Sequence, residues 1–247
     1  NQLALKMVRQ QASDAAPGRC FAPPGKLLAA LKAGLPFAMT AAQQNAINEI
    51  IADQAAPKRM LRMLQGDVGS GKTLVALAAM LTVVETGAQA ALLAPTEVLA
   101  RQHHASLSAL LHPLQIDVGL LLGHGRTNTA TAKHGTHSDQ NNSLRSRKDT
   151  LAAMADGTIP LVVGTHALLS DTSIFQDLGL AVIDEQHRFG VRQRILLGEK
   201  GRDVDVMVMT ATPIPRSLAM TAYGDLDHSR LDEKPVGRQP IDTRAIV

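Results

Sequence analysis

From Met60 onward the chain alternates short apolar runs with longer stretches of helical periodicity. The apolar runs predict strands over Met60–Gln65, Ala90–Ala94, Asp117–Leu122, Leu161–Gly164, Leu180–Ile183 and Val204–Thr210. Runs such as LAVI and VMVM are apolar at consecutive positions, so both of their faces must be covered. That is the habit of a parallel sheet buried between two layers of helix. Helices are predicted over Leu74–Glu85, Thr96–Leu111, Leu144–Ala155 and Ile214–Ala222. Before this region, Asn1–Ala12 and Lys26–Ala33 have helical spacing, and Thr40 is placed to N-cap a helix over Ala41–Ala52. Ser13–Gly25 carries three Pro and two Gly and reads as a linker. The expected fold class is α/β, a three-layer αβα sandwich of about six strands with a mainly parallel sheet.

One segment departs from this rhythm. Gly123–Ser143 is polar, small and weakly patterned, and reads as a mobile surface insertion. Its His134 and His137, with His124 nearby, have no zinc-ligand spacing and no Cys to assist them. At the far end, Asp232–Pro240 is linker-like, and Ile241–Val247 resembles the opening strand of another unit.

Composition adds limits more than identity. With 45% hydrophobic and 19% charged residues, the 247-residue chain can build an ordinary core. The net charge of +3 mildly favours an anionic partner. There is no Trp and only one Tyr, so a single-stranded nucleic acid would find no broad stacking platform. Cys20 stands alone, which excludes an intrachain disulfide and suits a reducing, cytoplasmic setting. No signal peptide is evident, and no apolar run reaches the ~18 residues that a membrane span requires.

The chemistry is concentrated in three places. Gly66-Asp67-Val68-Gly69-Ser70-Gly71-Lys72-Thr73 fits G-x-x-x-x-G-K-[ST] at every fixed position, between a predicted strand and a predicted helix. Such a loop offers backbone N–H groups and a positive helix end to phosphates. Lys72 would pair with the β- and γ-phosphates, and the Thr73 hydroxyl would ligate Mg²⁺. Asp184-Glu185-Gln186-His187 follows the strand LAVI, at the edge where open parallel sheets bind ligands. Asp184 there suits a water-mediated hold on Mg²⁺, and Glu185 suits the catalytic base that orients the attacking water. Thr210-Ala211-Thr212-Pro213 follows a third strand, where the hydroxyls of Thr210 and Thr212 can relay the nucleotide state through His187.

GDVGSGKT, APTEVLARQ (Ala94–Gln102), VGTHALL (Val163–Leu169), DEQH and TATPIPR (Thr210–Arg216) stand in the order of superfamily 2 helicase motifs I, Ia, Ib, II and III. DEQHRFGVRQR together with TATPIPRSLAMTAYGDLD resembles the RecG-type branched-DNA helicases over roughly Leu35–Val247. The translocase module of transcription-repair coupling factors is the next most similar, although it usually reads DEEH where this chain has Gln186. The resemblance implies a RecA-like ATP-binding domain over 35–236, preceded by a linker segment over 1–34 and followed from 237 by the start of a second motor domain. It implies ATP and Mg²⁺ as cofactors, with Gln43 reading adenine. It implies branched or duplex DNA as partner, contacted by Pro95, Thr96 and Arg101 of motif Ia and by Gly164, Thr165 and His166 of motif Ib. Arg188 and Arg216 are further candidates for coupling or DNA contact. In this family the remaining wall of the ATP site belongs to a second RecA-like domain, and branch recognition to a wedge domain. On that reading these 247 residues bind ATP but hydrolyse it poorly alone.

Overall fold

A computed structural model of the chain describes residues 18–123, 146–184, 200–201, 203–212 and 226–233. The helices predicted over 1–12 and 214–222 lie outside these residues, as does nearly all of the predicted insertion. The described strands are β1 (Leu61–Gly66), β2 (Gln89–Leu93), β3 (Val118–Leu121), β4 (Leu161–Gly164), β5 (Leu178–Asp184), β6 (Asp205–Thr210) and β7 (Asp227–Leu231). They form one seven-stranded sheet in the order β3-β4-β2-β5-β6-β1-β7. Every pairing is parallel.

The period of two along each strand divides the core between the two faces. Leu64, Leu92, Val182 and Met207 pack with α1 (Lys26–Gly34), α2 (Ala41–Gln54), α3 (Lys72–Glu85) and α4 (Glu97–Leu111). Leu93, Ala181, Ile183 and Val208 pack on the opposite face with Ala153 and Met154 of α5 (Arg147–Ala155). α3 is the central helix, and every residue from Leu74 to Val83 is buried. That is why its sequence is apolar all round rather than amphipathic. Among the described residues no helix is long and apolar enough to cross a membrane.

Two features were not legible in the apolar pattern. β7 is a seventh strand, with the sequence DHSRL, of which only Ser229 and Leu231 are buried. It lies at the edge of the sheet, where polar and charged residues discourage pairing with other chains. Arg62 of β1 anchors it. The guanidinium is almost fully buried and bonds Asp53 of α2 through Nε at 2.7 Å and Ser229 of β7 through Nη1 at 2.7 Å. The second feature is in the Pro- and Gly-rich stretch read as a linker. Residues 18–25 have no regular structure, but they are fastened to the domain. Phe21 is 1% exposed, and its N–H donates to Gln54 O at 2.7 Å. Arg19 stacks over the Phe21 ring at 5.0 Å and bonds the Asp177 carboxylate with both terminal nitrogens.

Asp205, at the start of β6, is fully buried and accepts a hydrogen bond from Met60 N–H at 2.7 Å. Its other oxygen has no partner among the described residues. Burial therefore pushes its carboxyl up to about 7, against the opposing pull of the Met60 bond and Arg59. A carboxyl with a raised folded value gives its full stability below the unfolded value near 3.8 and loses it as pH rises towards 7. Asp205→Asn keeps the Met60 bond but removes this titration. Between pH 5 and 8, wild-type stability should fall relative to the variant by on the order of 2–4 kcal/mol in denaturant titrations. Parallel pH profiles for the two proteins would contradict this.

Candidate nucleotide and nucleic-acid site

Parallel strands deliver all their C-terminal ends to one edge of the sheet, and the site is assembled there. β6 lies between β5 and β1, with Met209 in register with Asp184 and Thr210 in register with Gln65. The Asp184 end of β5 is thus two strand spacings, about 10 Å, from the strand that leads into the phosphate loop. β2 and β4 continue the same edge on the other side of β5, with Leu93 in register with both Ile183 and Gly164. The predicted nucleotide residues therefore follow β1, β5 and β6. The predicted DNA residues follow β2 and β4.

The phosphate loop makes its turn at Gly69 and Gly71, with φ of 80° and 88°. Asp67, Val68 and Gly69 are exposed, and Thr73 is half-buried in the first turn of α3. Gly71 is the N-cap of α3 and carries no capping side chain. A helix start with no side-chain cap suits an anionic ligand. Lys72 Nζ folds back over the loop, donating to Gly66 O at 2.6 Å and Asp67 O at 3.0 Å. Ser70 is 2% exposed, and its Oγ has no partner among the described residues. An orphaned buried hydroxyl beside uncapped N–H groups and an ammonium is a donor set that suits phosphate.

Gln43 is placed against this loop. It closes a capping box with Thr40, its Oε1 accepting from Thr40 N–H at 3.0 Å. Its Nε2 donates to Ser70 O at 2.8 Å, and the residue is 2% exposed. A carboxamide has two N–H donors and two oxygen lone pairs. One of each is engaged with the protein.

At the end of β5, Asp184 is 8% exposed. Its Oδ2 accepts a hydrogen bond from His103 Nε2 of α4 at 2.7 Å. Glu185 and His187 lie outside the described residues. At the end of β6, Thr210 is fully buried and its Oγ1 lies 3.1 Å from that of exposed Thr212. Gln65 of β1 joins this corner, with Oε1 2.7 Å from His228 Nε2 and Nε2 3.4 Å from Thr212 O.

Along β2 and β4 the predicted DNA residues differ in access. Thr96 N-caps α4, its Oγ1 accepting from Leu99 N–H at 3.3 Å, and Pro95 beside it is half-buried. Arg101 and His166 are exposed. Gly164 and Thr165 are buried, and a Cβ on Gly164 would lie 2.4 Å from Leu121 O. These two shape the turn, and of the three predicted residues His166 is the one that reaches the surface. His103, Gln65 and Ser229 were missed as site or anchor residues. The His103 position has one sequence signal, because it follows Thr96 by seven residues and so lies on the same helical face.

A family model for the DEAD/DEAH box helicases matches residues 40–221. The chain belongs to the DEAD/DEAH box helicase family. Among proteins of this family it is similar to the ATP-dependent DNA helicase RecG of Synechocystis, at 47% identity over 99% of this chain and 27% of that protein. It is 44% identical to the ATP-dependent DNA helicase RecG of Streptococcus pneumoniae, over 99% of this chain and 34% of that protein. The chain thus spans about a third or less of the length of these curated relatives. A solved structure of RecG bound to a three-way DNA junction superposes with a TM-score of 0.77 and 39% identity, covering 97% of this chain and 30% of that one. The seven-stranded parallel sheet is the RecA-like helicase fold that these matches share.

Gly71 tests the helicase loop with an internal control. A Cβ there would lie 2.2 Å from Gln43 Nε2, whereas one on Gly87, at φ 90°, would meet nothing within 4 Å. Both Ala substitutions pay for left-handed backbone, about 1–2 kcal/mol each. Only Gly71→Ala should also dislodge Gln43 and weaken nucleotide binding in a fluorescence titration. Equal nucleotide affinity in the two variants would overturn this reading of the loop.

Proposed function

We propose that this domain is the ATP-binding half of a RecG-like DNA helicase motor that acts on branched or duplex DNA in the cytoplasm. The observation that supports it best is the placing of β6 between β5 and β1. That order sets an acidic strand end and a phosphate loop on one edge, and the same edge continues into the turns after β2 and β4.

In this reading Lys72 exchanges the carbonyls of Gly66 and Asp67 for the β- and γ-phosphate oxygens. Ser70 and the first N–H groups of α3 hold the remaining phosphate oxygens. The remaining N–H and lone pair of Gln43 face the adenine edge. Thr73 and Asp184 hold Mg²⁺, Asp184 through water, and His103 fixes the Asp184 rotamer. Among the described residues no three His, Cys, Asp or Glu side chains cluster as a metal cage. Held by Thr73 and Asp184, Mg²⁺ would supply positive charge against the negative charge that builds on the phosphates during transfer. Glu185 orients the attacking water, and Thr210, Thr212 and His187 pass the nucleotide state towards the DNA face. Arg101, His166 and the start of α4 meet DNA phosphates, which carry no base information. A motor that must traverse any sequence needs contacts of that kind.

The test is ATP hydrolysis by the intact protein with no DNA, linear duplex and three-way junction. Junction DNA should stimulate hydrolysis most. Lys72→Ala should lower the stimulated rate on the order of 10²-fold or more, as does loss of one preorganised donor to a developing charge. Turnover indifferent to DNA, or ATP affinity unchanged by Lys72→Ala, would contradict the proposal.

A further inference from the structure

His103 belongs to neither the phosphate loop nor the surface turns, yet it bonds the acid at the end of β5. It lies on α4, on the same face as buried Ala100 and Leu107. The first turn of that helix carries Thr96 as its N-cap. The imidazole and the Asp184 carboxylate are nearly closed to solvent, at 13% and 11% side-chain exposure, and their contact is 2.7 Å. A carboxylate only accepts, so the proton of this bond sits on His103 Nε2. Asp184 Oδ1 is not bonded by any described residue, so His103 occupies one oxygen of an acid that stands at the end of β5 and leaves the other for a ligand.

Seven residues of helix separate Thr96 from His103, a rise of about 10.5 Å along a rod that does not stretch. Any displacement of the helix start is delivered to the imidazole at its full size. A short, buried hydrogen bond must then follow the helix or break. We propose that His103 is a positioning residue that ties the DNA-facing end of α4 to the Asp184 carboxylate, so that DNA seated at Pro95, Thr96 and Arg101 sets how Asp184 presents Oδ1 to Mg²⁺. This rests on the nucleotide and DNA reading above, and it adds the physical connection between the two halves of the edge.

The experiment compares His103→Ala, His103→Gln and Lys72→Ala in the intact protein at one pH. His103→Ala should lower kcat for junction-stimulated hydrolysis by about 10- to 100-fold, the usual cost of losing a residue that orients a metal-holding group, with a much smaller change in KM for ATP. It should also raise the Mg²⁺ concentration needed for tight binding of a fluorescent ADP analogue, and leave junction affinity unchanged. His103→Gln, whose amide N–H reaches the same acceptor, should restore both properties. The proposal is overturned if His103→Ala keeps normal DNA stimulation and Mg²⁺ dependence. It is equally overturned if His103→Gln is as impaired as His103→Ala, because shape rather than the hydrogen bond would then matter. An inactive Lys72→Ala beside a normal His103→Ala defeats the His103 proposal alone. A fully active Lys72→Ala defeats the nucleotide reading beneath it as well.

Discussion

Parallel pairing of β6 with β5 on one side and β1 on the other is the constraint on which the site depends. A parallel strand can enter this position only by a crossover connection, so the chain reaches β6 after β5 and returns to lie beside β1, which was formed far earlier. The register then leaves no freedom. Asp184 is opposite Met209, Thr210 is opposite Gln65, and Gly66 begins the loop one residue later. A slip of one residue would turn Val182, Val206 and Met207 to the wrong faces and mix the two cores. Burial of both faces of the sheet therefore fixes where the acid stands relative to the phosphate loop.

The polar groups at this edge are held in readiness by one another. Lys72 lies on loop carbonyls, Gln43 on Ser70, and Asp184 on His103. Each contact orients a group that would otherwise wander. Ser70 Oγ is the exception, a buried hydroxyl without a described partner at the point where phosphate oxygens would lie. Site geometry is thus set by hydrogen bonds from neighbouring helices, with rigidity supplied by α3, whose buried length runs through the middle of the core.

Six strands were legible because a doubly buried parallel strand cannot hide its apolar run. Their ends differ by at most two residues, and β5 gains Leu178 and Gly179 at its start, where the register with β2 shifts and Gly179 is passed over between the pairs Gln89–Leu178 and Ala90–Leu180. β7 escaped because an edge strand needs few apolar residues, and DHSRL has one. The phosphate loop, the acidic strand end and the paired threonines were legible because their chemistry demands fixed residue types at fixed spacing. His103, Gln65 and the Arg62 anchor were not, because each depends on which helix or strand lies opposite. The hold of Phe21 and Arg19 on the domain was hidden for the same reason, since Pro and Gly content describes a segment's backbone and not what its side chains meet.

The central claim is that one edge of the sheet binds nucleotide at β1, β5 and β6 and DNA at β2 and β4. Hydrogen exchange of the intact protein, measured with a non-hydrolysable ATP analogue and Mg²⁺ and separately with junction DNA, tests it most directly. The account predicts nucleotide protection over Gly66–Thr73 and around Asp184, and DNA protection over Pro95–Arg101 and around His166. Protection confined to the opposite edge, around Asp205 and the start of β1, would contradict it.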